Sequence, residues 1–371
     1  MKPISFLFLA AAVLAAATSC KAEESPTAKL REGDRLVLLG GTFIERMQVE
    51  CWFEAELATR LPKAGIVVRN LGWSGDNVWG ESRALFGSRE DGFKRLVSDV
   101  ELTKPTVIAL AYGANEAHAG EAGLEAFRAG LNRLLDSLAK TGARLVLFAP
   151  PPWENLGPPL PDPAAYNRKL EAYRGALVET AAARKLAVID LAQLMEQPPE
   201  EPWTSNGLHL TPLGYRRLAP RLATAFGAPE RRWQVALKAD GTTSEAIGTE
   251  LSDAIPTALG IRFTCRDALL PGTAEDSATV LRVEGLAAGK YEIRSGATVL
   301  ANTTAAALGA GVKLTEFPTA AQTEKLRAAA IRKNELFFHR YRPQNETYLF
   351  LFRKHEQGNN AVEIPHFDPL V

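Results

Sequence analysis

Arg35-Leu36-Val37-Leu38-Leu39-Gly40-Gly41-Thr42 is a short apolar run that ends in two glycines. A run this short and uniformly apolar reads as a strand buried on both faces, and the glycines as the loop that leaves it. The same grammar recurs downstream. Gly65 to Asn70, Pro105 to Tyr112, Arg144 to Ala149 and Leu186 to Asp190 are further strand candidates. Helical periodicity runs over Gln48–Arg60, Phe93–Thr103, Glu121–Lys140 and Tyr166–Arg184, and Pro212–Phe226 closes the series. Strands alternating with helices of this length predict an α/β fold with a parallel sheet covered on both faces, spanning residues 30–228. Ligands of such sheets bind beyond the carboxyl ends of the strands.

The character changes after Gly227-Ala228-Pro229. Trp233 to Leu237, Ile261 to Thr264, Thr279 to Val283 and Lys290 to Arg294 are short β-like runs separated by glycine-containing turns. They predict a small β-rich domain over 229–318. A helical pattern returns at 319–338. The segment 319–371 therefore reads as a C-terminal helix followed by a tail rich in aromatic and hydrogen-bonding groups, among them His339, Arg340, Tyr341, Arg342, Asn345, Arg353, His355, Asn359 and Asn360. Such a tail either closes over a site or docks the second domain.

With 371 residues, 46% hydrophobic and 23% charged, the chain is long enough for two domains with substantial cores. Its formal net charge of zero gives no electrostatic reason to expect nucleic acid or an anionic membrane surface as partner. Met1-Lys2 followed by the apolar run Ile4–Ala17 reads as a signal peptide over residues 1–22 and predicts export, to the periplasm or beyond the cell. Two processing routes fit. Ala17-Thr18-Ser19-Cys20 resembles a lipobox, which would lipidate Cys20, and a signal peptidase could instead cut after Ala22. Lipidation at Cys20 is the only membrane attachment expected. Cys51 and Cys265 lack metal-type spacing and are either two buried free thiols or a disulfide between the domains. No histidine pair has helical metal spacing, so neither a metal nor any other cofactor is expected.

Four segments carry the chemistry: Leu39-Gly40-Gly41-Thr42, Asn70-Leu71-Gly72-Trp73-Ser74-Gly75-Asp76, Tyr112-Gly113-Ala114-Asn115-Glu116 and Asn206-Gly207-Leu208-His209. In order and spacing they resemble the four motifs of the SGNH (GDSL-like) hydrolases over residues 34–227. The resemblance implies a flavodoxin-like three-layer α/β/α domain with a parallel sheet, and acyl transfer as its chemistry. Thr42 falls at the nucleophile position, where the family has serine, and its backbone N–H would be one oxyanion donor, with Gly41 allowing the turn that exposes it. Gly75 and Asn115 match the other two oxyanion donors, and His209 matches the general base. Asn206 stands where the family has aspartate, and Glu116 where it usually has aspartate. The tail resembles that of a secreted bacterial subfamily with the same Gly-x-Thr and Asn-Gly-x-His variants.

Each role has a plainer competitor. Thr42 could cap the helix after it, Gly75 could serve a turn, and His209 could be a satisfied structural histidine. The β-methyl of a threonine also crowds attack and restricts χ1. An asparagine at 206 can hold the imidazole but cannot offset imidazolium charge as an aspartate does. Asp76, Glu116 and Glu45 are the sequence-near carboxylates that could replace it. The leading expectation is an exported hydrolase acting on small-molecule or glycan esters, for example a carbohydrate O-acetyl esterase. The alternative is a degenerate glycan-binding protein on the same scaffold, in which Trp73, Trp79, Trp153 or Trp203 would stack on a sugar ring or else serve the core.

Overall fold

The apolar runs become the strands of a single parallel sheet. The computed structural model describes residues 26–196, 201–272, 278–314, 317 and 319–370; the signal peptide expected at 1–22, with Cys20, lies outside them. Strands β1 (Arg35–Gly40), β2 (Val67–Gly72), β3 (Val107–Ala111), β4 (Arg144–Ala149) and β5 (Ala187–Asp190) lie in the order β2-β1-β3-β4-β5 and pair in parallel throughout. This is the flavodoxin-like doubly wound order.

Alternate residues of each strand feed opposite cores. Leu36, Leu38, Val68, Val107, Ala109, Val146 and Phe148 face α1 (Thr42–Glu50), α2 (Trp52–Arg60) and α7 (Pro212–Ala225). Val37, Leu39, Leu71, Ile108, Leu110, Leu145 and Leu147 face α3 (Arg89–Leu102), α4 (Leu124–Ala139) and α5 (Ala164–Arg184). Burial on both sides explains why these strands read as unbroken apolar runs. Each fully buried Leu or Ile contributes roughly 1.5–3 kcal/mol. A short helix, α6 (Leu191–Leu194), follows β5.

The single helix expected over Gln48–Arg60 is instead two. Helix α1 begins at Thr42 and stops at Glu50, Cys51 adopts the left-handed φ of 51°, and α2 restarts at Trp52. The apolar spacing continues across the break, so periodicity alone does not reveal it. Cys51 and Cys265 are both free thiols, and burial raises that of Cys51 to about 12.

Two glycines allow backbone to approach closely at the strand ends, one against α1 and one against β3. A Cβ on Gly72 would sit 2.2 Å from the Glu45 nitrogen, and one on Gly40 would sit 2.6 Å from the Ala111 carbonyl oxygen. Here glycine is required for backbone to touch backbone.

Beyond α7, strands β6 (Arg232–Lys238), β7 (Thr243–Ile247), β8 (Thr249–Thr257), β9 (Gly260–Asp267), β10 (Ala278–Glu284), β11 (Lys290–Ser295), β12 (Thr298–Thr304), helix α8 (Ala305–Ala310) and β13 (Val312–Lys313) form a β-rich region. Its four-stranded sheet has the order β13-β10-β6-β7, and β8–β9 and β11–β12 form separate ribbons. Val235, Leu237, Leu281, Val283, Ile293, Leu308 and Leu314 are its core. Helix α9 (Ala320–Tyr341) then returns to the first sheet and packs on its edge strand. Lys333 donates to the Val68 carbonyl at 2.8 Å and pairs with Glu54, while buried Asn334 donates to Glu54 at 2.6 Å and to the Cys51 sulfur at 3.1 Å. An edge strand left open invites pairing with another chain, and α9 covers this one.

Gly72→Ala must force α1 away from the end of β2. We expect a loss of about 3 kcal/mol of stability, measured as a lower urea midpoint at unchanged slope. Wild-type stability in this variant would show that the close approach is not a constraint.

Candidate active site

The loops beyond the carboxyl ends of β1, β2 and β3 converge at the start of α1. Gly41 is the N-cap of α1 and Thr42 its first helical residue, with no side-chain capping bond. Thr42 is therefore not the helix cap, and its hydroxyl has no hydrogen-bond partner among the described residues. The amide nitrogen of Asn115 lies 3.3 Å from the position a Cβ would take on Gly41, and it donates to the Asp76 carbonyl at 2.6 Å. Gly75, at φ +76°, sits one residue before Asp76, so the second and third motifs meet beside the first.

The fourth motif arrives from the other side on a tight loop. A bridge between Thr204 and Leu210, with the Ser205 N–H donating to the His209 carbonyl at 2.9 Å, folds residues 203–210 back on themselves. Glu154 holds that loop: its carboxylate accepts from the N–H groups of Trp203 at 3.1 Å and Thr204 at 2.9 Å, and from the Thr204 hydroxyl at 2.6 Å. Thr211 caps α7 by accepting from the Gly214 N–H at 2.9 Å, with Pro212 in the first turn. Tyr215, one turn further, donates to the Phe43 carbonyl at 2.8 Å and ties α7 to the residue after Thr42.

The histidine carries the decisive detail. Asn206 Oδ1 accepts from the backbone N–H of His209 at 2.8 Å and of Leu208 at 3.2 Å. These two bonds orient the amide, so Asn206 Nδ2 is the atom facing His209 Nδ1, at 3.2 Å. A neutral imidazole must then accept at Nδ1 and carry its proton on Nε2. An aspartate would select the opposite tautomer, the one able to take a proton at Nε2. Burial lowers the pKa of His209, and the Arg46 guanidinium lowers it further. Both neighbours thus disfavour imidazolium: Asn206 by lacking charge and Arg46 by having the wrong sign.

None of the three candidate replacement carboxylates reaches His209. The Asp76 carboxylate accepts from Arg83 Nε at 2.8 Å and from the Tyr112 hydroxyl at 3.0 Å. Glu116 accepts from the N–H groups of Val78 and Gly113, each at 2.8 Å, and joins the second and third motif loops. Burial pushes its carboxyl up to about 7 against those two donors. Glu45 accepts from the Ser74 N–H at 2.9 Å and from the Ser74 hydroxyl.

A cavity of about 260 Å³ opens beside these loops, lined by Phe43, Tyr112, Ala114, Trp153, Trp203 and Leu208 among others. Several of these are chain neighbours of Thr42, Asn115 and His209. The tryptophans are mostly structural. Trp73 and Trp203 are only 4% and 2% exposed, and Trp79 lies against α4 at Gly130. Trp153 is partly exposed and packs on Tyr166 with ring centroids 4.1 Å apart. Sequence reading missed Glu154, Arg46, Arg83 and Tyr215, whose roles depend on which partners the fold brings to them.

The fold is that of an SGNH-type domain. Residues 49–217 match the GDSL-like lipase/acylhydrolase family, and this domain is a member of that superfamily. The match begins after Thr42 and includes Gly75, Asn115, Asn206 and His209. Among solved structures, a gut microbial diltiazem-metabolizing enzyme superposes with a TM-score of 0.70 at 18% identity, over 93% of this chain and 88% of that one. That likeness in fold therefore extends beyond the hydrolase domain. An α/β hydrolase from the metagenome of Lake Arreo, Spain, covers 54% of this chain and 97% of its own, at 18% identity and a TM-score of 0.43. An acetylxylan esterase from Geobacillus stearothermophilus covers 54% of this chain and 96% of its own, at 16% identity and a TM-score of 0.42. No curated protein matches the sequence.

Arg46→Gln removes the cation that acts on His209 and leaves its burial in place. The imidazole pKa, followed by NMR of the ring carbons, should move upward from its lowered wild-type value. An unmoved titration would separate Arg46 from the site.

Proposed function

We propose that this protein is an exported hydrolase of ester bonds, with carbohydrate O-acetyl esters as the substrate class to test first. The observation that supports the reading is the meeting of the first three motifs at the carboxyl ends of the sheet, with Asn115 Nδ2 3.3 Å from the Cβ position of Gly41, and the approach of the fourth motif to the same cavity through Leu208. Thr42 is the proposed nucleophile. The N–H groups of Thr42 and Gly75 and the Asn115 amide are the proposed donors to the oxygen of the tetrahedral intermediate. His209 is the proposed base, with Asn206 holding its ring; Gly41, Asp76 and Glu116 support the surrounding loops.

The same geometry argues for slow turnover. The tautomer that Asn206 selects carries a proton where the Thr42 proton must go, so the ring must exchange that proton before it can act. Imidazolium then forms beside Arg46 with no carboxylate to offset it. In a serine protease the corresponding Asp-to-Asn exchange lowers kcat about 10⁴-fold. Those features favour a second reading, a glycan-binding protein that keeps the pocket without chemistry. Burial of Trp73 and Trp203 leaves that reading mainly Trp153 as a stacking surface.

Hydrolysis of short-chain aryl esters and of acetylated glycans by residues 23–371 separates the readings. We expect weak activity that disappears in Thr42→Ala and in His209→Ala. Asn206→Asp should raise kcat by about 10²-fold or more, because it restores both the tautomer and the counter-charge. Activity indifferent to His209, or absent from the wild type and from Asn206→Asp alike, would exclude the esterase and leave glycan binding to be measured directly. Release of acyl groups from other esters but not from acetylated glycans would overturn the carbohydrate assignment alone.

A further inference from the structure

The loop Gly72–Asp76, which carries Gly75, is gripped on two sides. Its inner grip comes from the hydrolase domain: Arg83 binds the Asp76 carboxylate, and Asn115 donates to the Asp76 carbonyl at 2.6 Å. The outer grip comes from the far end of the chain. Tyr341, the last residue of α9, donates its hydroxyl to the Gly72 carbonyl at 3.2 Å. The Arg342 guanidinium lies 3.7 Å from the centroid of the Trp73 ring. It also donates to Glu45 Oε1 at 2.7 Å, while Oε2 of the same carboxylate accepts from the Ser74 N–H at 2.9 Å. A third arginine, Arg95, lies 4.9 Å from the Trp73 centroid and is itself held by Glu346 at 2.8 Å. Gly72, Trp73 and Ser74 are thus each fixed, directly or through one partner, by residues 341–346.

We propose that Arg342 is a positioning residue for the oxyanion loop, and that the C-terminal segment completes the active site of the hydrolase domain from outside that domain. The physical need is clear from the loop itself. Gly75 sits at positive φ and, lacking a Cβ, has many backbone alternatives close in energy. Its N–H serves an oxyanion only if aimed in advance, since a donor that reorients during reaction loses most of its worth. The inner grip fixes the residue after Gly75, and the outer grip fixes the three residues before it. Arginine suits the role because its planar guanidinium stacks on an indole while its fork of N–H groups binds a carboxylate, a fixed geometry that a lysine ammonium lacks.

The proposal rests on reading Gly75 as an oxyanion donor, so its test includes a measurement that needs no turnover. In full-length protein, Arg342→Gln is compared with wild type by amide hydrogen exchange and by ester hydrolysis. Exchange in peptides covering residues 70–80 should rise about tenfold or more, with peptides from α4 unchanged. Where the wild type hydrolyses esters, kcat should fall about 10²-fold, the scale of a 1 Å misplacement, at an unchanged KM. Arg342→Lys should recover part of both. Unchanged exchange over 70–80 overturns the proposal whatever the activity. Faster exchange without loss of kcat in an active protein overturns it as well. Should Arg342→Gln unfold globally, Tyr341→Phe decides: it removes only the hydroxyl at Gly72, and a local rise in exchange supports the outer grip while none overturns it. An inactive wild type with the local rise supports the grip and counts against the esterase reading instead.

Discussion

Burying an arginine guanidinium is costly unless its N–H groups find acceptors, and removing a partner from such a buried pair costs about 3–5 kcal/mol. Arg83 is only 1% exposed and is satisfied by the Asp76 carboxylate, by Asp99 and by the Leu71 carbonyl. Those partners belong to the second motif loop, to α3 and to the end of β2. The Tyr112 hydroxyl donates to the same Asp76 oxygen, which adds the end of β3. The loop carrying Gly75 therefore cannot shift without uncovering a buried charge. The relative placement of Gly75 and Asn115 follows from that one constraint.

The electrostatics of the site run in one direction. Asp76, Glu116 and Glu45 are each engaged with arginine or backbone N–H groups, and each strengthens the scaffold. Around His209 there is an amide and a nearby cation. The groups proposed for the site are donors: the Asn115 amide, the backbone at the start of α1 and the Nε2–H of the imidazole. Such an array suits an oxygen that bears negative charge, and it resists the transient imidazolium that acyl transfer requires. Whether the protein is a slow esterase or a binder turns on this balance, and Asn206 and Arg46 set it.

The C-terminal segment solves two problems with one helix. A parallel sheet of this order leaves β2 at an edge, and α9 covers it through Lys333 and Asn334. Having passed the edge, the chain arrives at the loop beyond β2, where Tyr341 and Arg342 engage Gly72, Trp73 and Glu45. This contact joins the tail to the loop of the second motif. The β-rich region is joined near the start of β6 by Arg231, which binds buried Glu56 at 2.9 Å and Thr59 at 2.7 Å on α2.

The strands of the hydrolase domain were legible because burial on both faces writes an unbroken apolar run, and local order suffices to read it. The four motifs were legible through their order and spacing, which resemble those of the SGNH hydrolases. The break at Cys51 was not, because the apolar face continues through it while a single residue turns left-handed. Strands β7, β8 and β12 were missed because they are exposed for much of their length and carry no strong apolar pattern. The sequence alone determined the α/β architecture, since the apolar runs that encode it are only a few residues long. Only the tertiary structure decided which nitrogen of His209 holds the proton, where the three carboxylates are engaged and that Arg342 reaches Trp73. Those outcomes depend on directions and distances between groups up to hundreds of residues apart, and no spacing along the chain encodes them.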